Sequence, residues 1–332
     1  MTAEFEINGV RKASLSRRRM LALSAAAALA AALDSCSRHH KTSSHPQSSQ
    51  PQSSSPPKAD EPEELENEGY DPRSGEPTNI NEIPPNPGEL PKAASVKTEW
   101  LPPVAHQYFG DCYAWSTVYG LATFYAARKS QKPPTTPDLQ AAPDYANVRY
   151  SQANKIPTNS CPGGSVSKCL DWLRSNGGAP SLAAAPNVAK QSSKEATCGK
   201  DWSTYGSRII PPDPRFNIPP YKTIQLKGAD GLKNLRTVIA AGFPLAYGTF
   251  YYTDFFAYKG SGVYTGNGEI RKQDGKPKGH AMMVIGYDDT RGAVRIQNSH
   301  GTSFGDKGYI WMAYDPFQKL AQGAACYVPD SA

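Results

Sequence analysis

Apolar side chains in the region 96–332 follow a helical spacing early and strand-like runs late. From Cys112 onward they recur every three or four residues, which predicts one buried face of a helix over 112–128. A second helix is expected over 165–176. Apolar runs bounded by turn residues then predict strands over 244–252, 280–287, 293–298 and 307–313. Helices followed by antiparallel strands indicate an α+β fold.

The chain changes composition near residue 96. Residues 37–95 are rich in Ser, Pro and Gln, turn acidic from Asp60 to Glu68, and show no amphipathic period. We therefore expect 36–95 to be a disordered tether. The remaining region, 96–332, has about 237 residues and is long enough to bury a substantial core.

The first 35 residues have the features of a targeting segment. The run Ser-Arg-Arg-Arg-Met-Leu over 16–21 resembles a twin-arginine export signal, and an ordinary signal peptide with a basic start is the alternative. The apolar stretch 21–33 is too short to span a bilayer comfortably. Leu-Asp-Ser-Cys ending at Cys36 resembles a bacterial lipoprotein cleavage box, although Asp34 is unusual there. We expect export from a bacterial cell to the envelope, the periplasm or the medium, with membrane contact only through a lipid on Cys36.

The net charge argues against a nucleic-acid partner. The formal charge is +6, but residues 1–35 carry five basic and three acidic side chains, so about +4 remains after their removal. That excess is too small to favour nucleic acid, and no basic cluster interleaved with aromatic residues follows residue 96. The sequence also has no P-loop, dinucleotide-binding or zinc spacing.

Cys112 lies where the predicted helix begins. Gly110 and Asp111 precede it, in the positions of a turn and an N-cap. The positive end of the helix dipole favours the thiolate form of a cysteine in the first turn. We therefore interpret Cys112 as a nucleophile; a small buried core residue is the alternative.

Two polar residues far downstream complete a possible catalytic set. His280 begins a strongly apolar run, a turn follows over 288–292, and Asn298 ends the returning strand. Such a hairpin brings His280 and Asn298 together. Asn298 can then accept from one ring nitrogen, which leaves the other facing Cys112.

With Cys, His and Asn in this chain order, the sequence resembles the papain family of cysteine peptidases over roughly 96–332. The resemblance implies a helical half and a barrel-like sheet half, with Cys112 and His280 on opposite walls of the cleft between them. No metal or organic cofactor is implied. Five further stretches resemble family segments: 96–100, 103–107, 161–164, 258–264 and 301–309.

Roles for individual residues follow from the resemblance. Cys112 attacks the scissile carbonyl, and His280 accepts the thiol proton and later protonates the leaving amine. Asn298 orients His280. Gln107 and the backbone N–H of Cys112 hold the oxyanion. The pair Gly163 and Gly164 lines the substrate cleft, where glycine lets a peptide backbone approach closely.

The sequence departs from the family pattern at several positions. Gln107 lies one residue closer to the cysteine than usual, and an ungapped alignment puts His106 in its place. Asp111 replaces a serine, and its charge opposes thiolate formation. His300 replaces the tryptophan that shields the His–Asn hydrogen bond, so we expect a wetter bond. The long Cys–His separation predicts an insertion between 180 and 220.

Six cysteines need assignment. With Cys36 lipidated and Cys112 catalytic, four are left, and four cysteines allow three pairings. The family's usual partner just before the nucleophile is missing, because Phe109 lies there. Cys198 is favoured as the partner of Cys161, which otherwise stays reduced. The four disulfide candidates are Cys161, Cys169, Cys198 and Cys326.

The leading hypothesis is an exported, monomeric thiol peptidase that acts on peptides or proteins. A catalytically weak papain-like surface protein that binds peptides is the first alternative, and a Cys-His acyltransferase on the same scaffold is the second. Papain-like zymogens usually carry a helical inhibitory propeptide. Residues 36–95 lack its pattern, so latency by that route is not expected.

Overall fold

The computed structural model describes residues 69–73, 77, 82–84, 88–156, 163–188 and 200–329. Within these ranges a π-helical stretch, Trp115–Ala122, joins two α-helical stretches, so that 112–130 forms one continuous helix, called the Cys112 helix below. Short 3-10 turns lie at Thr98–Trp100, Pro137–Leu139 and Pro214–Phe216. The α-helical stretches are α1 (Cys112–Ala114), α2 (Thr123–Ser130), α3 (Pro143–Ala153), α4 (Val166–Ser175), α5 (Lys200–Tyr205), α6 (Gly231–Ala240) and α7 (Tyr314–Leu320).

Most strands of the described residues join one sheet in the order β2-β10-β3-β7-β8-β9-β4, with β1 beside the end of β7. Its pairings are antiparallel except that of β4 with β9. A small hairpin, β5–β6, stands apart. The strands are β1 (Ala93–Ser95), β2 (Lys222–Gln225), β3 (Leu245–Phe250), β4 (Val263–Tyr264), β5 (Lys272–Gln273), β6 (Lys276–Pro277), β7 (Gly279–Asp288), β8 (Ala293–Gln297), β9 (Tyr309–Ala313) and β10 (Ala321–Tyr327).

Strand β7 is central to this sheet, and nine of its ten residues are buried. It pairs with β3 on one side and β8 on the other, and its register places His280 opposite Thr249. The turn back to β8 closes with Gly292 N–H donating to the Asp289 carbonyl over 3.2 Å, and Gly292 has a positive φ of 61°. This hairpin confirms the predicted return of the chain from His280 to Asn298.

The Cys112 helix packs directly on β7. A Cβ at Gly120 would lie 3.1 Å from the Met283 sulfur, so glycine sets how closely helix and strand approach. The helix is buried throughout its π-helical stretch. Helix α4 begins where the Ser165 hydroxyl accepts from the Lys168 N–H over 3.2 Å, an N-cap that satisfies one helix-end donor.

A smaller apolar cluster lies beside the main core. It is built on α3. The described residues of the insertion predicted between 180 and 220 pack against that helix. The Tyr145 hydroxyl both donates to the Ile210 carbonyl (2.9 Å) and accepts from the Ile210 N–H (3.0 Å). The buried members are Phe109, Ala142, Tyr145, Val148, Ala185, Val188 and Tyr205.

The predicted helices and strands form, and the α+β class is confirmed. The expected boundary at 96 and the expected tether differ from the structure in two places. Residues 93–95 form β1, paired with residues 286–288 of β7. Residues 69–71 pair with Gly164 and Gly279, and Gly69 lies against the backbone of Gly110 and Asp111, just before Cys112. Both segments are held through backbone hydrogen bonds. Because such bonds do not depend on the side chains, they leave no amphipathic pattern from which the pairing could have been predicted.

Several predictions fall outside the described residues. The export signal over 1–35, the lipid site Cys36, and the cysteines Cys161 and Cys198 all lie there. Within the described part of the chain, the helices are too short or too polar to cross a membrane.

Candidate active site

Cys112 is the first residue of its helix and is fully buried. Its Sγ accepts a hydrogen bond from the Ala281 N–H over 3.2 Å, which joins the helix to β7 immediately beside His280. Asp111 occupies the N-cap position, but its carboxylate makes no capping bond. Its backbone carbonyl instead accepts from Ala114 N–H over 2.7 Å. The sulfur therefore faces a backbone donor from the sheet, an arrangement that suits a thiolate.

His280 and Asn298 form the expected pair. The His280 Nε2 lies 2.7 Å from Asn298 Oδ1, and the Ser299 N–H donates to the same oxygen over 2.8 Å. Because Oδ1 is an acceptor in both contacts, Nε2 is the protonated ring nitrogen. Nδ1 is then the unprotonated ring nitrogen, which can accept a proton from a thiol.

Aromatic rings surround His280. The ring of Phe256 lies 5.6 Å from it and that of His300 5.3 Å, both edge-on. Phe256 and His300 contact each other in turn, with centroids 4.3 Å apart. His300 is fully buried and Asn298 only 3% exposed, so the expectation of a wetter His–Asn bond is wrong. Burial of these two side chains keeps water from the bond as an aromatic residue would.

Two histidines near His280, namely His300 and His106, are uncharged near neutral pH. Burial lowers the pKa of His300 from 6.5 to about 3. Burial, with a smaller contribution from the nearby His300, lowers the pKa of His106 from 6.5 to about 4. The residues form an isolated backbone bridge, His106 with His300, and their ring centroids are 6.0 Å apart.

Gln107 lies on the segment between that bridge and the Cys112 helix. It is fully buried, and its Nε2 donates to the Phe109 carbonyl over 3.0 Å. Its Oε1 accepts from the Ser299 hydroxyl, and its backbone N–H donates to the Ser299 carbonyl over 2.7 Å. Gln107 is thus attached to the residue that follows Asn298, whereas His106 is only partly buried and stacks on Tyr108.

Gly163 and Gly164 form one side of a narrow groove that holds residues 69–73. Gly164 N–H donates to the Gly69 carbonyl (2.7 Å), and Asp71 N–H donates to the Gly164 carbonyl (3.1 Å). Tyr70 bridges to Gly279 on the other side and is only 3% exposed. The sequence reasoning missed this segment. One signal was present, because Tyr70 is the only Phe, Tyr or Trp between Phe5 and Trp100.

Two of the four disulfide candidates are described. Cys169, on α4, accepts a hydrogen bond from the Thr117 hydroxyl of the Cys112 helix over 3.2 Å. Cys326 is buried in β10, opposite Thr223 of β2 and Ala246 of β3. The pairing of Cys161 with Cys198 stays a prediction.

Comparison with known proteins agrees with this geometry. A model of the papain family of cysteine proteases matches residues 94–328. The chain belongs to this family. The match begins within β1 and includes Cys112, His280 and Asn298.

Individual relatives are distant. Cathepsin K of Gallus gallus is 27% identical over 207 residues, which make up 61% of this chain and 52% of that protein. The cysteine proteinase EP-B 1 of Hordeum vulgare is 23% identical over 253 residues, 75% of this chain and 58% of its own length. The chain therefore spans just over half of these relatives.

A solved structure shares the fold. Xylellain, a cysteine protease from Xylella fastidiosa, superposes with a TM-score of 0.54 at 19% identity, covering 79% of this chain and 96% of xylellain. The papain-like arrangement of a helical half and a sheet half is thus confirmed.

Proposed function

We propose that this protein is an exported thiol peptidase that hydrolyses peptide bonds through an acyl-enzyme on Cys112. One observation carries the proposal. The Cys112 sulfur lies 3.2 Å from the backbone nitrogen of Ala281, the residue after a histidine whose Nε2 is held 2.7 Å from Asn298. A thiol, a fixed imidazole and an orienting amide are the components of nucleophilic acyl transfer.

The first half of the reaction forms the acyl-enzyme. His280 Nδ1 takes the proton of the Cys112 thiol, and the thiolate attacks the scissile carbonyl carbon to form a C–S bond. The imidazolium then protonates the leaving nitrogen as the C–N bond breaks, and the amine departs. Asn298 Oδ1, fixed by the Ser299 N–H, stabilises the imidazolium through the hydrogen bond from Nε2.

The second half releases the acid. His280 Nδ1 takes a proton from water, whose oxygen attacks the thioester carbon. The C–S bond breaks, and the proton returns to the Cys112 sulfur. The backbone N–H of Cys112 and one N–H of Gln107 Nε2 stabilise the oxyanion in both halves, a contribution of about 3 kcal/mol per donor. Since the other Nε2 hydrogen donates to Phe109, the Gln107 amide is oriented beforehand.

The proposal extends to the N-terminal residues. Residues 1–35 direct export, Cys36 carries a lipid, and the following residues tether the catalytic domain. Because 69–73 lie in the groove, the tether reaches only from 37 to 68. A flexible chain of that length spans about 30 Å. Radiolabelled palmitate incorporation in wild type and Cys36→Ala tests the anchor.

The test of activity compares the full chain with Cys112→Ala and with Cys326→Ala as the matched control, since Cys326 is an equally buried cysteine on β10, which β3 separates from β7. Cleavage of an unfolded protein is followed from acid to mildly alkaline pH. We expect activity in wild type and Cys326→Ala and a loss of about 10⁴-fold or more in Cys112→Ala. Equal turnover by all three proteins contradicts the proposal.

A second candidate, a peptide-binding surface protein, has one observation in its favour. Cys112 and His280 are both fully buried while residues 69–73 fill the groove. Binding without turnover predicts tight association of peptides with wild type and Cys112→Ala alike, and no product from either.

A further inference from the structure

A small internal cavity lies between the Cys112 helix and the sheet. Its walls include Trp115 of the helix, Ala281 of β7, Gln297 of β8 and Asn298, which follows β8. The volume of the cavity is about 20 Å³. A water molecule needs roughly 10–15 Å³ of such space, whereas pockets for organic ligands have volumes on the order of hundreds of Å³. The cavity therefore admits water and excludes an organic molecule.

Three polar side-chain atoms of the lining residues lack a hydrogen-bond partner within the described part of the chain. They are Trp115 Nε1, Gln297 Oε1 and Asn298 Nδ2. Each of these residues is less than one-tenth exposed, so bulk solvent does not serve as the partner. Buried polar atoms in native proteins almost always bond to protein or to ordered water. Three such atoms around one cavity therefore indicate a bound ligand.

The neighbouring hydrogen bonds fix which of the three atoms donate. An indole Nε1–H only donates. Gln297 Nε2 donates to the Pro102 carbonyl over 2.9 Å, which leaves Oε1 as an acceptor. Asn298 Oδ1 accepts from the Ser299 N–H, which leaves Nδ2 as a donor. The residues around the cavity thus offer two donors and one acceptor.

This combination selects water over an ion. A cation would face two N–H donors, and an anion would face the Gln297 carbonyl oxygen. A water molecule accepts two hydrogen bonds and donates two, so it satisfies all three atoms. We propose that one water is bound in this cavity, where it accepts from Trp115 and Asn298 and donates to Gln297, and that Trp115 and Gln297 thereby position Asn298 for catalysis.

The water holds the Asn298 amide by the group that His280 does not contact. His280 Nε2 lies 2.7 Å from Oδ1, and Nδ2 is the other end of the same planar amide. A half-turn of the amide would point an N–H at the His280 N–H, and the hydrogen bond from Nδ2 to water opposes that rotation. Trp115 and Gln297 act through the water and not on the substrate. This inference rests on the proposed function, because it concerns the orientation of His280 in the same reaction.

NMR of the full chain, labelled with ¹⁵N, tests the water site. A water held beside an indole gives a rotating-frame cross-peak to the Hε1 proton, with a sign opposite to that of hydrogen exchange. The chain has five tryptophans, and the Trp115 signal is assigned by its absence from Trp115→Phe. We expect this water cross-peak in wild type. It should disappear in Gln297→Met, which removes the acceptor and keeps the length of the side chain.

Kinetics test the positioning role. Trp115→Phe removes the indole donor, and Trp172→Phe is the matched control, because Trp172 is a buried tryptophan of α4 away from the cavity. Trp115→Phe and Gln297→Met should each lower kcat about three- to tenfold with KM unchanged, whereas Trp172→Phe should behave like wild type. In an Asn298→Ala background, Trp115→Phe should lower kcat no further, because its effect acts through Asn298.

Two results overturn the inference. One is the absence of the water cross-peak at Trp115 in wild type. The other is an equal loss of kcat on Trp115→Phe with and without Asn298→Ala, which would show that Trp115 acts through packing alone. If circular dichroism shows that Trp115→Phe is unfolded, Gln297→Met provides the same comparison. The NMR measurement needs no turnover, so an inactive wild type that shows the cross-peak contradicts the proposed function and not the water site.

Discussion

The two walls of the site are held by different forces. On the helical wall, Cys112 is positioned by a helix that is buried along its π-helical stretch and presses Gly120 against Met283 of β7. On the sheet wall, His280 is positioned by strand register and by a side-chain hydrogen bond to Asn298. Side-chain packing thus positions Cys112, the proposed nucleophile, whereas backbone pairing and a polar contact position His280, the proposed base.

This difference separates the expected effects of mutations. Changes on the sheet wall should lower the rate while the fold persists, since backbone pairing does not depend on the side chain. Changes on the helical wall should lower the free energy of unfolding first, because close packing tolerates little added volume.

The largest effect is expected from His280→Ala on the sheet wall. Loss of the proton acceptor should lower kcat by about 10²- to 10⁴-fold. The thermal midpoint of unfolding should change little, because the β3 and β8 pairings of β7 remain. A variant that unfolds would show that the ring is needed for the packing of Phe256 and His300.

Asn298→Ala should have a smaller effect on the same wall. A hydrogen bond to a charged group contributes about 1.5–3 kcal/mol, so the expected loss in kcat is about 10- to 100-fold. The matched variant is Asn298→Asp, which keeps an acceptor for His280 Nε2 and should recover part of the rate. Equal rates for the two variants would contradict an orienting role.

Gly120→Val tests the helical wall. The added methyl groups meet the Met283 sulfur, and we expect the free energy of unfolding to fall by about 1–3 kcal/mol. Urea titration measures it, and Met283→Ala in the same chain should restore part of the loss. If Gly120→Val lowers the free energy of unfolding by the same amount with and without Met283→Ala, the destabilisation does not arise from contact with Met283.

The smallest effect concerns acid stability. The folded pKa of His300, about 3, is below its unfolded value of about 6.5, so between these values the unfolded chain binds the extra proton. The contribution of neutral His300 to stability is complete above pH 6.5 and is lost as the pH falls below it. His300→Gln should reduce the fall in unfolding free energy between pH 6 and 5 by about 1 kcal/mol.

The measurement compares the slope of the unfolding free energy against pH in His300→Gln with that in wild type. The difference between the two proteins at pH 8 gives the loss due to packing alone. His106, whose pKa is lowered to about 4, titrates in the same direction and remains in both proteins. Burial is the largest cause of that lowering and His300 a smaller one, so most of the His106 slope is common to the two curves. Identical slopes would mean that His300 is not the group responsible.

Much of the fold was predictable because periodicity and burial agree. The helix from Cys112 and strands β3, β7, β8 and β9 form within a few residues of their predicted bounds. Asn298 was predicted beside His280 because a hairpin with a short turn leaves few registers. The environment of His300 was not predictable, since its burial depends on Phe256, which lies over forty residues away in the sequence.

By itself, the sequence determined the α+β class, the family and the order of Cys112, His280 and Asn298, because these depend on local periodicity and on the chemistry of residue types. Tertiary structure decided that the His–Asn bond is dry, that Gln107 is attached to Ser299, and that the Tyr70 ring lies against Gly248 of β3. These features arise from backbone hydrogen bonds and from space between distant segments. Neither leaves a periodic pattern along the chain.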